Sequence, residues 1–299
     1  MTATTEIRTT TVAGLIDSIW VASALVPALG RAVLADDDPA AGVLAVAGLV
    51  ERGETGWVPT ERFRAEIPPE RIAMLRERLI STLGQAATIA ARGPGCGWDS
   101  YSDDVLLAQG RFSAVAGRIF KAMLTTTPEL AAAFDACRVI IDTGVGVGAG
   151  ACSICEALPG TRVIGLDVNA RALGLARQLV VAKDLGDRIE LRLQGVEELQ
   201  DVGVASIAHI SPPFFPRPAL IKGIACLFRA LRPGGMLILS GLSSDGAPGA
   251  IDRWQACNAG GTAVTLDECA ELVMAAGFEK PKPPNLAPGM PLAALSRRP

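Results

Sequence analysis

The sequence has very few of the side chains on which many catalytic and binding sites depend. Of its 299 residues one is a histidine, His209, one is a tyrosine, Tyr101, and aromatic residues make up 4%. A single histidine excludes a metal centre built on several histidines, and no second C-x-x-C accompanies Cys152 and Cys155 to complete a zinc site. The net charge is −3 without a basic stripe, which disfavours a nucleic-acid partner. No apolar run approaches the ~18 residues of a membrane span.

The cysteine usage indicates a reducing compartment. The seven cysteines are scattered and odd in number, and we expect no secretory leader, so the sequence predicts free thiols in a cytoplasmic protein. The C-x-x-C lies in a helix-compatible segment, where small residues packing a helix are its simplest interpretation. The length suggests about two domains, and an apolar fraction of 49% suffices for a sizeable core.

Residues 138–169 carry the strongest pattern in the chain. A short apolar run ends at Asp142, four glycines follow at every second position, and a helix-compatible segment leads to a second apolar run that ends at Asp167. This order predicts a strand, a glycine turn, a helix and a second strand. The glycines of the turn are Gly144, Gly146, Gly148 and Gly150.

Such a unit is suited to binding a nucleoside. Glycines let the backbone approach a ligand closely, and the free N–H groups of the following helix point at the same place. A carboxylate at the end of the second strand, here Asp167, can accept hydrogen bonds from ribose hydroxyls. Gly144, Gly146 and Ala149 also satisfy the dinucleotide fingerprint, and a purely structural turn is the remaining alternative.

Five motifs in order resemble those of the class I S-adenosylmethionine-dependent methyltransferases. The segment I-I-D-T-G-V-G-V-G resembles their first motif, and G-L-D-V-N, with Asp167 and Val168, resembles their second. The run from Val196 through Glu197 resembles the segment that flanks the adenine. Ser211 lies where their fourth strand ends beside the methyl group, and L-R-P-G-G resembles the turn before strand five, with strand five itself expected from Met236 to Ser240.

The resemblance implies an α/β fold: a Rossmann-like, seven-stranded methyltransferase domain with a smaller, mostly helical, winged-helix-like N-terminal domain. It implies S-adenosylmethionine as cofactor and a set of cofactor-binding residues on the motifs just named: Asp142, Gly144, Gly146, Gly148, Asp167, Val168, Val196, Glu197 and Ser211. The chain departs from the family where many members carry an acidic residue before the V-E-E-L-like turn. Gln194 and Gly195 stand there, which puts the adenine contact in question.

The N-terminal segment predicts two helices followed by a small hairpin, with one helix expected from Ala40 to Arg52 and a long helix from about Glu70 to Ala91. G-L-V-E-R-G-E-T-G-W-V-P-T resembles the N-terminal domain of bacterial two-domain small-molecule O-methyltransferases. That resemblance implies a helical dimerisation and substrate-lid domain over residues 1–100, linker helices and a catalytic domain over 101–299, and a homodimer. A DNA-binding wing is the alternative, but residues 1–90 hold 8 Arg, no Lys and 11 acidic residues.

Acceptor and catalytic residues are less well determined by the sequence. Related enzymes line the acceptor pocket with the region before and within the linker helix expected from Asp104 to Leu124, and with the stiff turn after the fourth strand. The candidates for the acceptor are Trp98, Tyr101, Gln109, Arg111, Pro213 and Phe214. The family often uses a histidine base after strand four or five, and this chain has none there. His209 and Asp245 are the catalytic candidates, with catalysis by proximity alone as a further alternative.

The sequence therefore predicts methyl transfer to a small-molecule acceptor, aromatic or polyketide-like, with no nucleic acid or membrane partner. In-line transfer from a sulfonium requires mainly alignment and exclusion of water. Three alternatives stay open: a repurposed fold that binds S-adenosylmethionine or its demethylated product without methylating, a nicotinamide-dependent oxidoreductase, and a regulatory winged-helix binder.

Overall fold

The computed structural model describes residues 11–242, 250–284 and 293–299. The chain divides into two compact units, Met1–Gln85 and Ala86–Pro299. The sequence placed a functional boundary between residues 100 and 101, whereas this division falls inside a long helix.

The first unit is helical with one small hairpin, and its helix starts are capped as their sequences require. Thr11 accepts a hydrogen bond from Gly14 N–H at 3.0 Å, and Asp38 accepts one from Ala40 N–H at 2.9 Å. Its elements are α1 (Val12–Ala28), α2 (Pro39–Val46), β1 (Val50–Arg52), β2 (Trp57–Pro59), α3 (Glu61–Glu66) and the first part of α4 (Pro69–Arg92).

The helix expected from Ala40 to Arg52 was too long. It ends at Val46 because Gly48 adopts a φ of 70°, and the next residues pair with β2 in the antiparallel hairpin, Val50 opposite Pro59. The order of two helices and a hairpin agrees with the expectation, and the winged-helix assignment stays a prediction. Helix α4 covers the predicted long helix and is followed by Gly93, whose φ is 90°.

The second unit is a central sheet flanked by helices on both faces. Its helices are α5 (Asp103–Ser113), α6 (Ala116–Thr126), α7 (Pro128–Cys137), α8 (Ala149–Ala157), α9 (Ala170–Ala182), α10 (Arg217–Ala230), α11 (Ala250–Asn258) and α12 (Leu266–Ala275). Its strands are β3 (Val139–Thr143), β4 (Arg162–Asp167), β5 (Ile189–Leu193), β6 (Ala205–Ile210), β7 (Leu231–Ser240) and β8 (Ala293–Arg297).

The sheet order is β5-β4-β3-β6-β7-β8, with the first five strands parallel and β8 antiparallel to β7. The chain leaves β3 for β4 on one side and returns to β6 on the other, so the carboxyl end of β3 is the topological switch point. Crevices at such points are where ligands bind in open α/β sheets. The predicted Rossmann-like fold is therefore present.

The described residues show six strands of the predicted seven-stranded sheet, and beside β8 there is an isolated bridge, Lys282 to Leu295. Two details of the predicted elements were wrong. Strand β7 begins at Leu231 rather than Met236, because the Arg-Pro-Gly-Gly run forms a bulge: the register passes from Ala205–Leu231 to Ile207–Met236. The helix expected from Asp104 to Leu124 is interrupted between α5 and α6.

Apolar side chains cover both faces of the sheet. Ile141, Ala208 and Leu237 on one face pack with α10 and α12, while Ile140, Ile207 and Ile238 on the other pack with helices that include α7 and α8. The alternation along each strand assigns these residues to opposite faces. Within the described parts of the chain, no helix is both long enough and apolar enough to cross a membrane.

Candidate functional site

A cavity of about 430 Å³ opens at the carboxyl ends of β3 and β4. Its lining includes the glycine turn after β3, the ends of β4 and β5, helix α5, the turn after β6 and the residues after α11. Sites for small molecules and cofactors are commonly cavities of about 300–1,000 Å³ at a switch point of this kind. All of the lining residues belong to the second unit.

The glycine turn brings bare backbone to the cavity. Gly144, Gly146 and Gly148 have φ values of 70°, 57° and 77°, which a residue with a Cβ adopts only with strain. Gly144 and Gly146 line the cavity. Gly148, the predicted third binding glycine, does not line it and instead faces helix α9, where a Cβ would lie 3.2 Å from that of Ala176.

Asp167 lies at the end of β4 and lines the same cavity. Its Oδ2 accepts a hydrogen bond from Gly146 N–H at 2.7 Å, and its Oδ1 accepts one from Asn169 N–H at 2.8 Å. Burial raises the pKa of this carboxyl above its ordinary value, against the lowering effect of the two N–H groups, and nearby Asp142 raises it further. The carboxylate thus fixes the glycine turn while facing the space where ribose hydroxyls are expected.

Asn169 is a lining residue that the sequence analysis did not select. It is 7% exposed, and its Oδ1 caps α9 by accepting a hydrogen bond from Ala172 N–H at 2.9 Å. Its Nδ2 is buried and has no hydrogen-bond partner among the described residues. A buried donor without a partner is costly unless a ligand or water accepts from it. The sequence signal that could have identified Asn169 is its position two residues after Asp167, the acidic residue at the end of β4.

The segment after β5 lines the cavity with Gln194, Gly195, Val196 and Glu197. The departure from the family pattern changes the local contacts: a Cβ at Gly195 would lie 2.8 Å from the Glu197 carboxylate, so the glycine admits that side chain. Val196 is 2% exposed and packs on Gly223 of α10, which leaves its backbone at the cavity. The predicted adenine-flanking segment is therefore at the cavity.

Aromatic rings form the other wall. Trp98 and Phe214 both line the cavity, with ring centroids 5.7 Å apart in an edge-to-face arrangement, and Phe215 also lines it close to Gly144. Tyr101, a predicted acceptor-binding residue, is 1% exposed and does not line the cavity. Its ring packs edge-to-face on that of Trp98, with the two centroids 5.3 Å apart. Burial raises the pKa of the Tyr101 hydroxyl to about 12, so this group does not act as a base near neutral pH.

The polar residues beside this aromatic wall are few. Gln109, one of the predicted acceptor residues, and Ser113 line the cavity from α5, and Asp99 lines it from the loop before α5. Ser113 and Asp99 carried no motif and were not selected from the sequence. Two more predicted acceptor residues do not line the cavity. Arg111 is exposed on α5, and Pro213 packs against Gly241 and Gly261.

Three further predicted site residues, Asp142, His209 and Ser211, are joined by hydrogen bonds through Ser240 at the ends of β3, β6 and β7. His209 Nδ1 lies 2.8 Å from Asp142 Oδ1, and His209 Nε2 lies 2.8 Å from Ser240 Oγ. Ser211 Oγ donates to the Ser240 carbonyl at 3.1 Å. None of these four residues, Asp142, His209, Ser211 and Ser240, lines the cavity. Asp245, the other catalytic candidate, lies outside the described residues.

The residues at the cavity fit an adenosyl ligand. The cavity combines a glycine turn without Cβ atoms, the carboxylate of Asp167, the unpartnered donor of Asn169 and the backbone of Val196. These features match the needs of backbone approach, ribose hydroxyls and a planar base.

Comparison with known proteins agrees with this geometry. Residues 140–235 match a protein family described as "Methyltransferase domain". The chain is similar to the structure of an O-methyltransferase family protein from Burkholderia thailandensis, with a TM-score of 0.65, 14% identity, and coverage of 97% of this chain and 98% of that one. A search of curated proteins gave no significant match.

Two further structures are similar over nearly the whole chain. The pyocyanin biosynthetic protein PhzM matches with a TM-score of 0.63 and 18% identity over 96% of this chain and 98% of its own. The O-methyltransferase NcsB1 from neocarzinostatin biosynthesis, solved with S-adenosylmethionine and 2-hydroxy-5-methyl naphthoic acid, matches with a TM-score of 0.61 and 16% identity over 96% of each chain. At such identities these likenesses establish the fold.

The match over residues 140–235 confirms the predicted methyltransferase domain, and the fold is the one that the resemblance implied.

Proposed function

We propose that this protein transfers a methyl group from S-adenosylmethionine to a small aromatic acceptor. The observation that carries the proposal is that Gly144, Gly146 and Asp167 line the same cavity as the rings of Trp98 and Phe214. The first three residues suit the cofactor, and the two rings offer faces and edges on which a planar acceptor can stack.

The bound cofactor supplies an already activated methyl group, so the chain's own residues need mainly to bind, orient and exclude water. Asp167 and the glycine turn would hold the nucleoside end, and Asn169 Nδ2 would donate a hydrogen bond to it. The aromatic wall positions the acceptor, and its apolar surface displaces water from it. Holding two reactants in alignment can supply about 7–11 kcal/mol of a barrier.

The absence of a histidine from the described lining of the cavity supports methyl transfer by alignment of the reactants, without a histidine base. His209 is held between Asp142 and Ser240 and does not line it, and among the described lining residues none is a histidine. The same observation favours a second candidate function, a repurposed fold that binds the adenosyl ligand without transferring methyl, because a phenol acceptor often benefits from a base.

Calorimetric titration with S-adenosylmethionine, S-adenosylhomocysteine and NADH tests the proposal first. Micromolar binding of the two adenosyl ligands, and none of NADH, is expected, followed by transfer of labelled methyl to a phenol or aromatic amine in an acceptor panel. Binding of S-adenosylhomocysteine without transfer to any acceptor would favour the repurposed fold. Absence of adenosyl binding would refute the assignment of the glycine turn.

We also propose that the protein is a homodimer that associates through helix α1. Apolar side chains on this helix are more exposed than is usual for a free surface, with Leu15 at 54%, Ile19 at 58% and Trp20 at 66%. Light scattering is expected to give twice the 31.0 kDa chain mass, and Trp20→Asp is expected to give the monomer.

The free state of all seven cysteines supports a cytoplasmic location.

A further inference from the structure

Arg171 stands at a position of helix α9 that does not favour a cation. It is the second residue of the helix, two positions after the N-cap Asn169. The free N–H groups at the start of a helix carry partial positive charge, so a guanidinium there is unfavourable for the helix dipole. The reason for this residue therefore lies outside its own helix, and its hydrogen bonds supply one.

The guanidinium of Arg171 holds the loop of residues 93–102, which carries Trp98. Its Nη2 donates to the main-chain carbonyl of Tyr101 and, at 3.5 Å, to that of Asp99, and its Nη1 lies 3.4 Å from the carboxylate of Asp103. The two carbonyls belong to the residues one and three positions after Trp98. Hydrogen bonds from a charged donor are stronger than those between neutral groups, so these contacts restrain the main chain just after the ring.

The main chain before Trp98 is rich in glycine. Three glycines precede the ring in the left-handed region, with φ values of 90°, 75° and 69° at Gly93, Gly95 and Gly97. Glycine adopts many other conformations at little cost, so this stretch does not fix the ring by itself. Asn258 of α11 holds it on this side by accepting a hydrogen bond from Gly95 N–H at 3.0 Å.

Apolar packing holds the same loop near the glycine turn and α9. Tyr101 packs edge-to-face on Trp98 and is buried in one cluster with Val147 of the glycine turn and Ala172 of α9. Apolar burial is non-directional, so it keeps the loop close to these elements without setting its exact place. The directional contacts from α9 are those of Arg171.

We infer that Arg171 is a positioning residue for the acceptor. By holding the two carbonyls that follow Trp98, it keeps that ring at the cavity, where an aromatic acceptor stacks on it. Arg171 itself is exposed and does not line the cavity, so it acts only through the loop. The inference rests on the proposed function, since it takes Trp98 as part of the acceptor site. A misplacement of about 1 Å far from the chemistry can cost on the order of 100-fold in rate.

Three variants of α9 test the inference. Arg171→Met removes every donor and keeps an apolar stem of similar length. Arg171→Lys keeps the charge but not the planar fork, so it is expected to restore part of the effect. Arg177→Met is the matched control, because it makes the same change at an exposed position further along the same helix. The melting temperature is expected to be nearly unchanged in all three, since the cation at residue 171 does not favour the helix start.

The first readout is ¹⁹F NMR of the full-length protein labelled with 5-fluorotryptophan, without ligand and with saturating S-adenosylhomocysteine. The chain has four tryptophans, and Trp98→Phe identifies the signal of Trp98. In Arg171→Met this signal is expected to move towards that of a solvent-exposed tryptophan, while the other three stay in place. Arg171→Lys is expected to give an intermediate position, and Arg177→Met to leave all four signals unchanged.

The second readout separates acceptor binding from cofactor binding, using an aromatic acceptor found in the panel. Because a favourable aromatic contact is at stake, Arg171→Met is expected to raise the KM for the acceptor about three- to tenfold. The Kd for S-adenosylmethionine, measured by calorimetry, is expected to stay within about twofold. A merely structural role would instead lower the melting temperature and weaken both ligands together.

An unchanged Trp98 signal in Arg171→Met would overturn the inference, and so would equal losses of affinity for acceptor and cofactor. Failure of the proposed function is a different result, because it shows in the wild type as absence of adenosyl binding or of methyl transfer. Movement of the Trp98 signal in a protein that transfers no methyl group would leave the contact between Arg171 and the loop standing and refute the proposed function.

Discussion

Replacing His209 by leucine distinguishes a structural histidine from a catalytic one. The imidazole joins β3, β6 and β7 through Asp142 on one side and Ser240 on the other, both at 2.8 Å. Leucine fills a similar space but breaks both hydrogen bonds. It leaves the carboxylate of Asp142, whose side chain is 13% exposed, without its partner.

The expected cost follows from these two bonds. A hydrogen bond to a charged group contributes about 1.5–3 kcal/mol and a neutral one about 0.5–1.5 kcal/mol. The His209 side chain is 32% exposed, so solvent compensates for part of the loss. We therefore expect His209→Leu to lower the free energy of unfolding by about 2–4 kcal/mol, and Ser240→Ala, which removes only the neutral bond, by about 1 kcal/mol.

Urea unfolding of both variants measures these differences, and kcat and KM are measured at a temperature where each variant remains folded. The double variant Asp142→Asn with His209→Leu removes the stranded charge and is expected to recover at least about 1 kcal/mol relative to His209→Leu alone. The reasoning is refuted if His209→Leu changes unfolding by less than about 0.5 kcal/mol. It is also refuted if kcat falls by orders of magnitude while stability is preserved.

The remaining predictions concern the cofactor side and the turn after β6. Asp167→Asn replaces an oxygen that accepts from a main-chain N–H, so S-adenosylhomocysteine affinity is expected to fall about tenfold or more in calorimetry. Because the folded-state pKa of Asp167 is raised, wild-type affinity is expected to weaken on acidification from a pH above the usual aspartate range, a step that the asparagine variant lacks. Asn169→Ser keeps an oxygen that caps α9 but removes the Nδ2 donor, which has no partner in the described structure. It is expected to weaken S-adenosylhomocysteine affinity about two- to tenfold with the melting temperature nearly unchanged. Wild-type affinity in this variant would contradict the role of Nδ2 as a ligand donor. A Cβ at Gly261 would lie 2.0 Å from the carbonyl oxygen of Pro213, so Gly261→Ala is expected to displace the turn that carries Phe214 and raise the KM for the acceptor more than for the cofactor.

Much of the second unit was predictable because its signals are local. The apolar run before Asp142, the glycines after it and the run ending at Asp167 specify a strand, a turn and a strand through backbone preference alone. The start of α12 is determined just as locally, because Thr265 and Glu268 form the two reciprocal hydrogen bonds of a capping box.

Where the sequence prediction was wrong, a distant partner had decided the outcome. Helix α2 ends early because β1 pairs with β2, and β7 begins early because Arg-Pro-Gly-Gly bulges against β6. In both cases the local pattern was compatible with more than one state, and pairing with another strand selected between them.

The sequence by itself determined the class of the domain and the position of the glycine turn and predicted the cofactor, because those depend on residue types at fixed short spacings. Only the tertiary structure decided which side chains reach the cavity. It separated His209 and Tyr101 from the site and added Asn169, Ser113 and Asp99 to it. The cause is that strand pairing and helix packing set the direction of each side chain, and these contacts join residues far apart in the chain.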